Sequence, residues 1–236
     1  MSWRSKLGLV YPADGALDRE YWQWIPEGVS VHINRFQATD DQRVEVFEEQ
    51  AESPDIEEAA EQLAVIEPDS VAYACTSGSF IYGGGKDHEI IDRMEEATGI
   101  PSTTTSTAIV RALKELEVEK LAVAAPYPDE VNFRLKRFLE DYGFTVVSLR
   151  GLGLESGIFS QPDGTSYKLG KEADSERAEA LVISCTNFKT YNILKHLEKD
   201  LGKPVISANQ ATAWDLLRLA GVTESLPGRG LLFRKG

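Results

Sequence analysis

The sequence predicts an α/β fold of two pseudo-symmetric halves, each a parallel sheet covered by helices, facing one another across a cleft. Three observations carry this. Short runs of β-favouring apolar residues alternate with segments of helical spacing throughout the 236-residue chain, the pattern of parallel strands joined by crossover helices. Ser70–Phe80, SVAYACTSGSF, is echoed by Ala180–Thr190, ALVISCTNFKT: an apolar run ending in a small residue, then Cys, Thr and a small polar residue. Cys75 and Cys185 are the only two cysteines, and 110 positions separate them, close to half the chain. Equivalent strands that each end in a thiol would bring the two thiols face to face across the cleft, where strand ends converge.

In chain order, Leu7–Tyr11 is a strand stopped by Pro12 and the turn-like Ala13-Asp14-Gly15. Val29–Phe36 alternates Val29, Val31 and Ile33 with Ser30, His32 and Asn34, as a strand with one covered face does. Asp40–Val65 has helical spacing, and Pro54 divides it in two. Val71–Ala74 leads into Cys75, a glycine-rich turn covers Ser79–Gly85, and a helix follows near His88–Thr98. Pro101 opens a short strand or turn before an amphipathic helix over Ser106–Leu116. The second half repeats the programme. Lys120–Ala125 is a strand ending at Pro126, Asp129–Tyr142 a helix and Thr145–Leu149 a strand. A Gly-rich loop, Gly151–Gly157, precedes a weak helix around Ser166–Ala173, and Leu181–Ser184 leads to Cys185. Tyr191–Leu201 is a helix, Pro204–Ser207 a strand and Ala211–Ala220 a helix; Pro227–Phe233 has no assignment.

Three landmarks recur between the halves: a strand meeting Pro12 and Pro126, a strand meeting Cys75-Thr76 and Cys185-Thr186, and helices opening near Thr107-Ala108 and Thr212-Ala213. The expected division is residues 1–104 with 210–236 as the half holding Cys75, and 105–209 as the half holding Cys185.

Composition narrows the function. Hydrophobic content of 42% and charged content of 27% are those of an ordinary globular protein with a sizeable core. A net charge of −13 argues against nucleic acid, whose phosphates require concentrated Lys and Arg. The acidic residues lie along helix faces such as Glu45–Glu61, a solvated surface that a salt-rich habitat would also favour. No apolar run reaches membrane-spanning length and no secretory h-region precedes the first strand, so the expectation is a cytoplasmic protein without a membrane partner. A homo-oligomer is compatible with the chain. Two cysteines with His32, His88 and His196 all elsewhere are too few for a zinc site, and no metal is expected. Gly83-Gly84-Gly85 lacks the Lys-Ser/Thr ending of a phosphate loop and reads as a flexible turn.

The chemistry follows from the thiols. A Cys between a parallel strand and the next helix meets unpaired N–H groups and the positive end of the helix dipole, which favour thiolate. Thr76, Ser77 and Thr186 would cap such a helix start or donate to a bound anion, and free N–H groups there would hold a carboxylate or enolate oxygen. Two thiols flanking one molecule let a proton leave one face and return on the other. The plainer explanation, two buried core cysteines, does not account for the same Cys-Thr step after both strands. Tyr127, in Ala125-Pro126-Tyr127-Pro128, lies at another strand end, either as a hydroxyl reaching the cleft or as a packing residue.

At these residues the chain resembles the aspartate/glutamate racemase superfamily, and within it the branch of arylmalonate decarboxylase and maleate isomerase. Pro12–Ala16, Thr76–Phe80, Glu96–Pro101 and Ser106–Ala108 carry the resemblance. So do Tyr127 with Asp129–Asn132, Ser184-Cys185, Trp214-Asp215 with Arg218–Gly221, and Pro227-Gly228. The resemblance implies an active site between two α/β halves and no cofactor. It implies an enediolate or carbanion held by Thr76, Ser77, Tyr127, Thr186 and backbone N–H groups near Cys185, with Gly15 and Asn187 at further binding positions. Arylmalonate decarboxylase has Gly where this chain has Cys75, whereas racemases and maleate isomerase keep both thiols. Maleate isomerase has Asn at the positions of Gly15 and of Ser156 or Gly157, and glutamate racemase has His at Asn187. The leading expectation is therefore a cofactor-independent two-cysteine isomerase or racemase of a small carboxylic acid, with Cys75 and Cys185 catalytic. The alternatives are a decarboxylase using Cys185 as proton donor and a non-catalytic protein that holds a small acid.

Overall fold

The computed structural model describes residues 4–235, and in them the chain forms two four-stranded parallel sheets. The first contains β1 (Ser5–Pro12), β2 (Val29–Phe36), β3 (Ser70–Tyr73) and β4 (Ser102–Thr104) in the order β2-β1-β3-β4. The second contains β5 (Lys120–Ala125), β6 (Thr145–Gly151), β7 (Ala180–Ile183) and β8 (Val205–Ser207) in the order β6-β5-β7-β8. The two orders are the same, so β1 corresponds to β5 and β3 to β7. Leu7 pairs with Val31 and Ser70, while Leu121 pairs with Val146 and Ala180. Leu7, Leu9, Val10 and Leu121–Ala125 are fully buried, as expected where helices cover both faces of a parallel sheet.

Helices α1 (Asp18–Trp24), α2 (Val44–Glu52), α3 (Asp55–Ala64), α4 (Thr76–Phe80) and α5 (Lys86–Thr98) belong to the first half of the chain. They are followed by α6 (Thr105–Glu115), α7 (Asp129–Asp141), α8 (Asp163–Ala173), α9 (Leu194–Leu201) and α10 (Ala208–Leu219). Ser53-Pro54 separates α2 from α3, and α3 buries the stripe Ile56, Ala59, Ala60 and Leu63 behind an acidic first turn. Thr104 caps α6 by accepting from the Thr107 N–H, and Ser207 caps α10 by accepting from the Gln210 N–H. The same device thus opens the corresponding helix of each half.

The sequence expectations miss α1 and α4. α4 has five residues, all buried, and its TSGSF sequence has no polar face to give it a period. α9 starts at Leu194 rather than Tyr191 because turns occupy the segment after Cys185. α10 starts three residues earlier than expected because its cap is Ser207. The unassigned tail makes a 3-10 turn at Leu232–Arg234, and Phe233 stacks on Trp24 with ring centroids 6.1 Å apart.

α6 and α10 lock the halves together. Their threonines Thr105 and Thr212 meet hydroxyl to hydroxyl at 2.9 Å. α10 lies against the first sheet, where Ser70 Oγ donates to the Leu216 carbonyl and Thr103 Oγ1 to Asp215 Oδ2. Arg111 of α6 pairs with the same carboxylate at 2.8 Å. Among the described residues no helix is long and apolar enough to cross a membrane.

Candidate active site

β3 and β7 are equivalent strands of the two sheets, and each releases its chain into the cleft through a cysteine. Cys75 follows β3 directly and occupies the position before α4 with extended backbone. Cys185 follows β7 after Ser184 and has φ +89°, a left-handed conformation rare for a residue with a side chain. Both are free thiols. They line one cavity of about 20 Å³, together with Pro12, Asp14, Ser77, Thr186 and Asn187. Thr39, Gln42, Phe47, Gln50 and Ile158 complete its wall. The loops after β2 and β6 meet over it: the Gly157 N–H donates to Asp40 Oδ2 at 2.7 Å, and the Gln42 N–H to the Glu155 carbonyl at 3.1 Å. A larger cavity of about 580 Å³ has Asp40, Gln42, Glu155 and Ser156 in its wall but neither thiol, so the chemistry belongs to the smaller one.

The electrostatics correct one sequence expectation. Burial pushes both thiols up, Cys185 to about 12, so desolvation outweighs the features that favour thiolate. The charge of Asp14 adds to the upward shift of both. Three groups oppose burial at Cys75: the Gly78 N–H, the Ser77 hydroxyl and, least of all, the Tyr73 hydroxyl, which makes no hydrogen bond of ordinary geometry. Two oppose it at Cys185: the Asn187 N–H, 3.4 Å from Sγ, and the Tyr127 hydroxyl. Both thiols are therefore held neutral at neutral pH, with more thiolate-stabilising groups gathered at Cys75.

Of the residues expected from sequence, Cys75, Ser77, Cys185, Thr186 and Asn187 share the cavity. The Thr76 hydroxyl is buried without a protein partner, and Thr76 is not among the residues of the cavity wall. Neither it nor Ser77 caps α4, which has no side-chain cap. Tyr127 is buried between Phe47 and Phe80, its hydroxyl accepting from Ser184 Oγ at 3.4 Å. Its packing and polar roles coexist. Gly15 stands back from the cavity: a Cβ there would meet the Tyr11 ring and Arg35, so packing explains the glycine. Asn187 is a clip. Its amide donates to the Asp14 backbone carbonyl and to Asp14 Oδ2, each at 3.2 Å, and accepts from the Ala16 N–H at 2.9 Å.

Sequence reasoning passed over Asp14, Gln50 and Tyr73. Gln50 Oε1 lies 3.9 Å from Cys75 Sγ and comes from α2, far from either cysteine in sequence. Tyr73 sits two residues before Cys75 on the same side of the strand, the period-two spacing that marks a shared face. Asp14 carried a signal too, as a charged residue in the loop directly after a buried strand. Among the described residues no Lys, Arg or His lines the cavity, and no group of three His, Cys, Asp or Glu is placed to hold a metal ion.

Comparison with known proteins shows what the chain as a whole is similar to. A family model described as arylmalonate decarboxylase matches residues 7–233. The arylmalonate decarboxylase of Bordetella bronchiseptica is 34% identical over 165 residues, covering 67% of this chain and 68% of that protein. A maleate isomerase of Nocardia farcinica is 27% identical over 182 residues, covering 74% and 72%. Among solved structures, a liganded double mutant of arylmalonate decarboxylase superposes with a TM-score of 0.89 at 28% identity, covering 97% of this chain and 98% of the other. A Nocardia farcinica maleate cis-trans isomerase mutant, solved with a covalently bound succinylcysteine intermediate, has the same fold, with a TM-score of 0.87 at 21% identity and 98% coverage of both chains.

Proposed function

The chain belongs to the arylmalonate decarboxylase family, and on that premise we propose that it is a cofactor-independent, two-cysteine isomerase or racemase of a small carboxylic acid. The observation that carries the reading is the single cavity shared by Cys75 and Cys185 at equivalent ends of β3 and β7.

In a racemisation, Cys75 first gives its own proton to solvent water and, as thiolate, then removes the α-proton. The electron pair of that C–H bond moves into the carboxylate, giving an enediolate. Thr76, Ser77, Tyr127 and Thr186 are the groups available to hold its oxygens. The Cys185 thiol then delivers its proton to the opposite face of the same carbon, leaving thiolate at Cys185 and thiol at Cys75. The reverse direction exchanges the two roles. In a cis–trans isomerisation, the Cys75 sulfur instead bonds to one alkene carbon and the π pair moves toward the carboxylate. The resulting single bond rotates, the pair returns, and the C–S bond breaks. The richer set of donors around Cys75 suits the base or nucleophile, and the raised Cys185 suits the acid. The division into residues 1–104 with 210–236 and 105–209 belongs to this reading, one thiol coming from each half.

A decarboxylase is the second reading, favoured by the 34% identity to the Bordetella enzyme. There the bond to CO₂ breaks, its electron pair stays as the enediolate, and Cys185 protonates it. The test is product analysis of small acids in D₂O without added cofactor. Racemisation predicts α-deuterium exchange, cis–trans isomerisation predicts fumarate from maleate, and decarboxylation predicts CO₂ release. None of the three from any acid would leave only a protein that holds acids.

A further inference from the structure

Cys75 must become a thiolate before it takes a proton or adds to an alkene, and no cation helps it. The titratable groups whose charge reaches its sulfur are Asp14 from the loop after β1, Tyr21 of α1, Tyr73 of β3, Tyr127 after β5 and Cys185 after β7. None of them is a cation, and among the described residues no Lys, Arg or His stands in the cavity wall. A thiolate here depends on neutral donors. The Gly78 N–H is one, and the Ser77 hydroxyl, 3.7 Å from Sγ, is another. The third polar group at the sulfur is Gln50, which lies one turn after Phe47 on the buried face of α2. Its Oε1 is 3.9 Å from Sγ and accepts from the thiol. An oxygen in that place favours the thiol and opposes the thiolate.

Nothing else holds that amide in place: among the described residues it makes no other hydrogen bond. The Asn187 amide in the same wall is different, since its nitrogen donates to Asp14 and its oxygen accepts from the Ala16 N–H. A carboxamide carries an acceptor on one side and two donors on the other, so half a turn about its last bond exchanges them while the rest of the side chain stays still. We propose that Gln50 is a positioning residue that turns over with the protonation state of Cys75: Oε1 accepts from the thiol, and Nε2 donates to the thiolate. When Cys75 gives its proton to water, the S–H···Oε1 bond is lost and an Nε2–H···S⁻ bond forms in its place. Return of a proton to the sulfur reverses the exchange. A hydrogen bond to a charged group is about twice as strong as one between neutral groups, so on balance Gln50 favours the thiolate. This rests on the reading of Cys75 as base or nucleophile, and it lets one neutral side chain serve both states of that sulfur.

The experiment follows alkylation of the two cysteines by iodoacetamide, a neutral reagent, between pH 7 and 9, with each site read separately by mass spectrometry. Over that range the rate at a raised thiol tracks its thiolate fraction. Gln50→Met and Gln50→Leu remove both the donor and the acceptor, and two apolar replacements guard against one that packs badly. If the amide turns over, the variants lose the donor to the thiolate, and the Cys75 rate should fall about tenfold at every pH, the equivalent of one unit in the midpoint of Cys75. The Cys185 rate in the same sample should stay within about twofold of the wild type. A loosened fold would speed both sites, so it does not imitate a fall at Cys75 alone. If Oε1 only accepts from the thiol, its removal frees the thiolate and the Cys75 rate rises instead. A Cys75 rate that falls in neither variant therefore overturns this inference and leaves the two-thiol reading standing. Full activity of Cys75→Gly on the preferred acid would remove that reading, and this inference with it.

Discussion

The Tyr11 hydroxyl donates to the backbone carbonyl of Thr186, 3.1 Å away and 175 residues further along the chain. The end of β1 in one half thus braces the thiol loop of the other. Asn209 donates to the same carbonyl at 3.1 Å and to Glu20 Oε2 at 2.9 Å, so three segments converge behind Cys185. That convergence explains how Cys185 is held at φ +89°. A side chain in such a conformation costs on the order of 1–3 kcal/mol and persists where surrounding bonds over-determine it.

Removing the brace should therefore loosen the acid more than the fold. Tyr11→Phe keeps the ring and deletes the hydroxyl, which should cost about 1–2 kcal/mol of stability by urea titration. Turnover should fall between about tenfold and a hundredfold, because small misplacement of a catalytic group is expensive. Turnover equal to the wild type, with the stability loss present, would reduce Tyr11 to a structural bolt.

A second contact places Tyr73 against Cys75. Gly78 has no side chain because the Tyr73 hydroxyl occupies the space where its Cβ would stand. Gly78→Ala should push that hydroxyl away from the thiol, destabilise the protein by about 1–3 kcal/mol through overpacking, and slow alkylation of Cys75. Tyr73→Phe makes room for the added methyl. The double variant should recover much of the stability but not the Cys75 reactivity, a coupling that a double-mutant cycle reads directly. Losses that simply add would show that the two residues do not share this space.

The Asp14 carboxyl, raised from its ordinary 3.8 to about 6, makes a pH prediction with a definite sign. The folded protein binds this proton more tightly than the unfolded chain. Its contribution to stability is therefore fully present below about pH 4 and is lost as pH rises through about 6. Relative to Asp14→Asn, the wild type should lose up to about 3 kcal/mol between pH 4 and 7, because each pH unit between the folded and unfolded values is worth about 1.36 kcal/mol. Parallel stability curves for the two proteins over that window would mean that Asp14 is solvated in the folded state.

How much of this was legible in the sequence depends on the range of each interaction. β2 and β5 appear with their observed ends because Val29–Phe36 and Lys120–Ala125 are bounded by local turn signals. The duplication was legible because Cys75-Thr76 and Cys185-Thr186 repeat a pattern that both sheets then repeat in their strand order. α4 was not legible, since a five-residue helix buried on every side has no amphipathic period. Within the site, the residues found were those next to the two cysteines in sequence. Gln50 reaches Cys75 from another helix, and the Asp14–Asn187 clip joins loops 173 residues apart. The direction of the thiol shifts also escaped, because local sequence favoured thiolate while burial, a property of the whole fold, decides against it.

The last prediction separates the isomerase or racemase from the decarboxylase, and it turns on Cys75. A reaction that takes a proton from one face and returns one to the other needs both sulfurs. Cys75→Gly and Cys185→Gly should then each abolish α-deuterium exchange, by more than about a thousandfold given the worth of positioned acid–base groups, and Cys75→Gly, which deletes the nucleophile, should abolish maleate conversion. The fold should tolerate Cys75→Gly, because Cys75 has ordinary extended backbone and its side chain lines a cavity. It should tolerate Cys185→Gly better still, since glycine adopts φ +89° without strain. The decarboxylase makes an asymmetric prediction. Loss of CO₂ generates the enediolate with no base, so Cys185→Gly would be inactive while Cys75→Gly would retain or gain CO₂ release from an aryl- or alkenyl-malonate. Assaying both variants for exchange, maleate conversion and CO₂ release reads the difference directly. Full activity of Cys75→Gly on the preferred acid would rule out the two-thiol mechanism, and the symmetric loss is the expected result.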